Sequence, residues 1–242
     1  MEQQKRWVYF LPNIFTCLNM GCGFMCILLA HKGLYFNGSL FLVLGAIFDS
    51  VDGRVARLTG TESEFGEQFD SMSDVISFGA APAILFYEAF LIDSGRAGVI
   101  VAFFFLLCGA LRLARFNANI GKISSSYFQG LPIPMAALSI VGFTLLSLKW
   151  SFMGESIPLA MSYIVCFSLM MVSNIPFPSF KNANWVKEHK RSVLFVIFAS
   201  GALTIVYEHF MLMILLVVYM GISSIIWFKH RGRLKELMND AS

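Results

Sequence analysis

Eight apolar stretches, joined by short polar connections, fill most of this chain and dictate the solvent in which it can fold. They are Ile14–Ala30, Ser39–Leu58, Phe69–Ile92, Ala97–Phe116, Leu131–Trp150, Ile157–Ile175, Ser192–Tyr207 and Phe210–Phe228. A bilayer core takes about 20 mostly apolar residues per helix. Backbone polar groups in lipid must be satisfied within the segment, which selects helices. The composition agrees: 57% of residues are hydrophobic, against roughly 45–50% in soluble domains. The pattern predicts an all-α, polytopic transmembrane helix bundle of about eight spans, forming a single membrane domain over residues 1–242. Two spans are uneven. Only Leu40 to Phe48 is strongly apolar in the second, and the third is polar until Val75. Glu208 and His209 alone join the last two, which predicts a tight helical hairpin.

Charge sets the orientation. With the N-terminus in the cytoplasm, fifteen of the eighteen lysines and arginines fall on the inner side, leaving Lys32, Arg96 and Lys149 outside. That asymmetry follows the positive-inside rule and predicts an even span number with both termini cytoplasmic. Trp7, Tyr35, Trp150 and Trp227 are expected at the interfaces. Lys5 and Arg6 precede the first apolar stretch as they would in a signal peptide. No small-residue cleavage site of the A-x-A type follows, so a retained helix is expected. Residues 1–12 predict either a short amphipathic helix on the inner surface or an ordinary tail. The five cysteines are odd in number, lie in apolar runs and form no CxxC pair, which argues against disulfides or a zinc site. The four histidines are read as interfacial rather than as ligands. The net charge of +3 is small, and no nucleic-acid partner is expected.

The chemistry concentrates in one segment, Asp49-Ser-Val-Asp52-Gly53-Arg-Val-Ala56-Arg57, followed by Gly66, Asp70 and Asp74. Carboxylates at membrane depth are costly and mark functional sites. Asp49 and Asp52 are three apart and Asp70 and Asp74 four apart, so each pair shares a helix face. Thr59, Gly60, Ser63 and Gly66 turn the chain between them, letting the pairs face each other. Two like charges 4 Å apart repel by about 4 kcal/mol at an effective dielectric near 20. Ionised, such a cluster requires cations between its oxygens, and hard oxygen ligands select Mg²⁺, Mn²⁺ or Ca²⁺. Two ions held close together clamp a phosphoryl group in displacement. Gly53 permits close approach of a substrate, Ala56 keeps the next turn small, Arg57 can fork onto phosphate oxygens, and Ser63 offers a hydroxyl. A single Asp–Arg pair at a helix end is ordinarily an interfacial salt bridge. Two spaced pairs with a following glycine point to a site instead. Glu62, Glu64 and Glu67 are expected to be solvated loop charges.

The run D-x2-D-G-x2-A-R-x8-G-x3-D-x3-D from Asp49 to Asp74 resembles the signature of the CDP-alcohol phosphatidyltransferase family at every position. The resemblance implies that Asp49, Asp52, Asp70 and Asp74 hold two divalent metals, Mg²⁺ or Mn²⁺, with Asp74 also the general base. It implies that Gly53, Arg57 and Ser63 contact the CDP-lipid, and that Asn13 and Thr16 of Pro-Asn-Ile-Phe-Thr line the same pocket. It further implies a homodimer in a bacterial-type inner membrane, with the active site facing the cytoplasm. The core would be six spans over 12–176, with 192–228 adding two more.

The stretches Ser73–Pro82, Cys108–Asn117 and Phe128–Pro134 are similar to those of the family's bacterial and archaeal serine-using branch. That similarity implies transfer of the phosphatidyl group from CDP-diacylglycerol to L-serine, giving phosphatidylserine and CMP. A serine carboxylate needs a cation. Arg112 and Arg115, three apart near the inner face, are candidates for it, with Ser77 and Asn117 as further polar contacts; both arginines could equally serve topology or bind lipid headgroups. Glycerol 3-phosphate is the competing acceptor; it would need more positive charge, and the few cations local to the site lean against it. A non-enzymatic divalent-metal transporter is the alternative of another class. It would usually carry its acids near the bilayer midplane, whereas these stop at one face.

Overall fold

A computed structural model describes residues 2–119, 127–173 and 175–178. Helix α1 spans Glu2–His31 and α2 Tyr35–Thr59. A composite helix, α3, runs over Glu64–Ser94 and is followed by α4, Arg96–Ala118. Strand β1, Tyr127–Gln129, leads into α5, Ile133–Lys149. The short α6, Ser151–Glu155, then α7, Ile157–Val172, and β2, Pro176–Pro178, complete the described chain. Pro12–His31, α3 and α4 are long and apolar enough to cross a membrane, while α5 and α7 are apolar but shorter. The protein is an integral membrane helix bundle.

Each of the first six expected spans corresponds to a helix, with shifted ends. Ser192–Tyr207 and Phe210–Phe228 lie outside the described residues. Helix α1 begins at Glu2 and continues through Pro12, so residues 2–11 are helical and continuous with the first span, Pro12–His31, and are not an irregular tail. Helix α3 starts five residues before the expected Phe69 because Ser63 caps it: its Oγ accepts from Gly66 N–H at 3.1 Å. Glu64 and Glu67 in the first turn suit the positive end of the helix. The all-helical expectation misses one feature. Strands β1 and β2 pair antiparallel, with Tyr127 opposite Pro178 and Gln129 opposite Pro176. Segments of three residues, this far apart in sequence, carry no local period to reveal them.

Lipid offers no hydrophobic drive between helices, so close packing must hold them. Small residues provide it where α1 meets α2: Cys22, Cys26, Ala30, Gly38 and Ser39 are buried there with Gly45. A Cβ added to Gly45 would lie 3.0 Å from Asn19 Oδ1, and one on Gly23 2.7 Å from Ser77 Cα of α3. These contacts draw α1, α2 and α3 together at the carboxylate end. Within α3, Val75–Ala80 winds as a π-helix immediately after Asp74. Ala81 N–H donates to Ile76 O, five residues back, and Pro82 follows without an N–H to restore the ordinary ladder. Such wider turns cluster at functional sites.

Helix α5 is the axis of the bundle, with Ser139 to Ser147 all buried. Within it Phe143 packs on Phe86 at 5.3 Å and on Tyr163 at 4.6 Å between ring centroids. Its buried hydroxyls stay satisfied: Thr144 Oγ1 donates to Ile140 O at 2.8 Å and Ser147 Oγ to Thr144 O at 2.7 Å. All five cysteines are free thiols; Cys22, Cys26 and Cys108 are buried, and Cys17 and Cys166 face outward. His31, at the end of α1, lies 3.5 Å from Glu88 of α3.

A clasp joins α4 to α7. Arg115 donates to Val172 O at 3.0 Å, Ser173 O at 3.1 Å and Met171 O at 3.3 Å, closing the C-terminal carbonyls of α7. Gly130 makes the fit possible. It has φ of +77°, and a Cβ there would lie 2.9 Å from Arg115 Nη2 and collide with Met171 O.

Candidate active site

The site is built on the α2–α3 hairpin. Helix α2 ends at Gly60, which takes φ +63° and returns its N–H to Ala56 O. The short link to the Ser63 cap reverses the chain, and Asp49 and Asp52 then confront Asp70 and Asp74. Carboxylate oxygens of Asp49, Asp70 and Asp74 lie within 4.8 Å of one another. Asp52 is turned toward α1: it accepts from Thr16 Oγ1 at 3.1 Å and from the N–H of Gly53. Asp52 and Asp74 are buried, and Asp49 and Asp70 half-buried. Asp70 Oδ1 and Asp74 Oδ1 are buried and accept no hydrogen bond.

That pattern fits hard divalent cations. Closely set carboxylates with unsatisfied inward oxygens form a poor hydrogen-bond network but a suitable oxygen ligand set.

Beside the carboxylates lies a cavity of about 190 Å³. Asn13, Thr16, Gly53, Arg57 and Ser63, the residues singled out for the CDP-lipid, all line it, together with Asp52, Ala56, Gly66 and Asp70. Glycine shapes it twice. The Arg57 guanidinium folds over Gly53, 3.5 Å from where a Cβ would stand. Gly66 lets Ser63 Oγ and Asn13 Oδ1 converge, at 3.2 and 3.6 Å from its own absent Cβ. The cavity also takes in Thr61, Glu62 and Glu67. The two glutamates are exposed, as expected of solvated charges, yet they stand at the mouth of the site. Nothing in their spacing signalled that position, because it depends on how the Gly60–Ser63 link folds back.

The four residues singled out for serine line none of this cavity. Asn117 Nδ2 donates to Ser71 Oγ at 2.9 Å, fastening α4 to the aspartate face of α3. Arg112 is buried on α4, with its guanidinium 5.4 Å from the centre of the Phe116 ring. Helix α4 packs against the π-helical turn that follows Asp74. Ser77 Oγ donates to the backbone carbonyl of Asn19 at 2.9 Å. Arg115 holds the end of α7.

Fold and site together define an integral membrane protein with a carboxylate cluster and an adjoining cavity of about 190 Å³. The chain belongs to the CDP-alcohol phosphatidyltransferase family, whose model matches residues 9–170. It is 41% identical over 194 residues to the CDP-diacylglycerol–serine O-phosphatidyltransferase of Helicobacter pylori, covering 80% of this chain and 81% of that one. The protein of the same name in Methanocaldococcus jannaschii is 39% identical over 213 residues, or 88% and 92% of the two chains. The archaetidylserine synthase of Methanothermobacter thermautotrophicus is 41% identical over 171 residues, or 69% of each.

Proposed function

We propose that this protein transfers the phosphatidyl group of CDP-diacylglycerol to the hydroxyl of L-serine, forming phosphatidylserine and CMP. The observation that carries the reading is the convergence of Asp49, Asp70 and Asp74 beside a cavity lined by Asn13, Thr16, Gly53, Arg57 and Ser63. The relatives support serine as the acceptor. Their names change the lipid, from diacylglycerol to archaetidyl, and keep the amino acid.

The cytidine diphosphate enters the cavity, where Gly53 and Gly66 leave room for it and Arg57 pairs with its phosphate oxygens. Asp49, Asp52, Asp70 and Asp74 would hold two divalent ions, Mg²⁺ or Mn²⁺, which would supply positive charge to the diphosphate and the departing CMP. Asp74 accepts the proton of the serine hydroxyl. The serine oxygen bonds to the phosphorus attached to diacylglycerol, and the bond from that phosphorus to the CMP oxygen breaks. The lipid tails stay in the bilayer throughout.

The reading extends to a core of six spans over 12–176, two further spans over 192–228, and both termini and the active site in the cytoplasm. The lysine and arginine asymmetry supports that orientation. The proposed setting is a bacterial-type inner membrane, with a homodimer as the assembly.

The two arginines of α4 divide the labour. Arg112, buried on α4, which packs on the π-helical turn after Asp74, receives the serine carboxylate, while Arg115 closes α7. Arg112→Ala is therefore expected to raise KM for serine about tenfold or more, with little change in KM for the liponucleotide. Arg115→Ala is expected instead to lower the thermal midpoint of the detergent-solubilised protein. Steady-state kinetics of CMP release, with each substrate varied in turn, checks the pair. Equal shifts in both KM values for Arg112→Ala would make that arginine structural.

A further inference from the structure

Asn19 is fully buried on α1, and neither Nδ2 nor Oδ1 of its carboxamide has a hydrogen-bond partner. A buried amide with both ends unmatched is costly, and native chains retain one only where it has work to do. Its place is defined by its neighbours. Thr16, three residues earlier on the same face, donates to Asp52. Oδ1 of Asn19 lies 3.0 Å from the Cβ position of Gly45, one turn before Asp49 on α2. Its own backbone carbonyl receives Ser77 Oγ, three residues past Asp74. Asn19 thus lies about one turn along α1 from the Thr16–Asp52 bond, against the stretches of α2 and α3 that adjoin Asp49 and Asp74. On α3, Asp70 Oδ1 and Asp74 Oδ1 are likewise buried and unpartnered.

We infer that Asn19 is a positioning residue for the carboxylate cluster: with cations bound, its Nδ2, unpartnered without them, donates to the Asp49–Asp74 side of the site and fixes those oxygens. Thr16 performs the same service for Asp52, so α1 supplies one neutral donor to each half of the cluster. This rests on reading the cluster as a divalent-cation site. Second-layer donors of this kind typically hold ten- to hundredfold of metal affinity.

The test is direct Mn²⁺ binding to the purified full chain in detergent, followed by electron paramagnetic resonance of the free ion. Asn19→Leu keeps the shape of the side chain and removes both polar ends. It is expected to weaken Mn²⁺ binding by roughly tenfold to hundredfold, while the thermal midpoint in chelator holds or rises. The Mn²⁺ concentration for half-maximal CMP release should rise in step, with KM for serine unchanged. If the leucine variant fails to fold, Asn19→Ala is read by the same criterion. Mn²⁺ binding within about twofold of the unsubstituted chain overturns the positioning role. Absence of Mn²⁺ binding to the unsubstituted chain overturns the cation reading itself, and the positioning role with it.

Discussion

Asp74→Asn is expected to lower CMP release by about 10³-fold or more while the chain still inserts and folds. A positioned general base contributes about 10²–10⁴-fold, and Asp74 is also proposed to ligate the cations that stabilise the leaving group. Asparagine nearly preserves the shape of the side chain, so the buried packing around position 74 survives. The substitution also removes one of the four clustered carboxyl groups, whose ionised forms repel one another. Without divalent cations, the variant should accordingly be at least as thermally stable as the parent chain. Turnover and a thermal midpoint measured on the same preparation distinguish this from misfolding. Near-normal turnover would remove Asp74 from the base role.

Chelation is the second large effect. Removing divalent cations with excess EDTA is expected to reduce turnover to background, and Mg²⁺ or Mn²⁺ to restore it. The physical ground is the repulsion that remains. A like-charge pair at 4 Å costs about 4 kcal/mol at an effective dielectric near 20, and Asp49, Asp70 and Asp74 bring carboxylate oxygens within 4.8 Å of one another. Cations that bind the folded state alone stabilise it by about 2.7 kcal/mol at a hundredfold excess over Kd. Thermal midpoints should therefore rise on adding Mg²⁺ to the chelated protein. Activity that persists in EDTA would contradict the assignment of the four aspartates.

The hairpin of aspartates was legible from spacing alone because three- and four-residue intervals fix a helix face whatever the tertiary structure. The apolar stretches placed the first six helices for the same reason. What depends on contacts between distant segments was not legible. The π-helical turn after Asp74 arises from Pro82 and the packing of α1 against α3. Arg112 and Arg115 look alike in sequence, and only the carbonyls of Met171, Val172 and Ser173 distinguish the second. Asn19 carries no charge and sits in an apolar run, so its cost emerges only once it is buried among three helices. Ser63 was the informative exception. Read as a ligand hydroxyl, it is also the cap that starts α3, and this explains why helix precedes the apolar part of that span.

The central proposal is that the α2–α3 site hands a phosphatidyl group to serine. Its most direct test is CMP release by the purified protein from CDP-diacylglycerol with Mg²⁺ or Mn²⁺, run in parallel with L-serine, glycerol 3-phosphate, inositol phosphate and no acceptor. Release that requires L-serine, with phosphatidylserine formed in equal amount, is the expected result. Release driven by glycerol 3-phosphate or inositol phosphate, or equally fast without an acceptor, would contradict it.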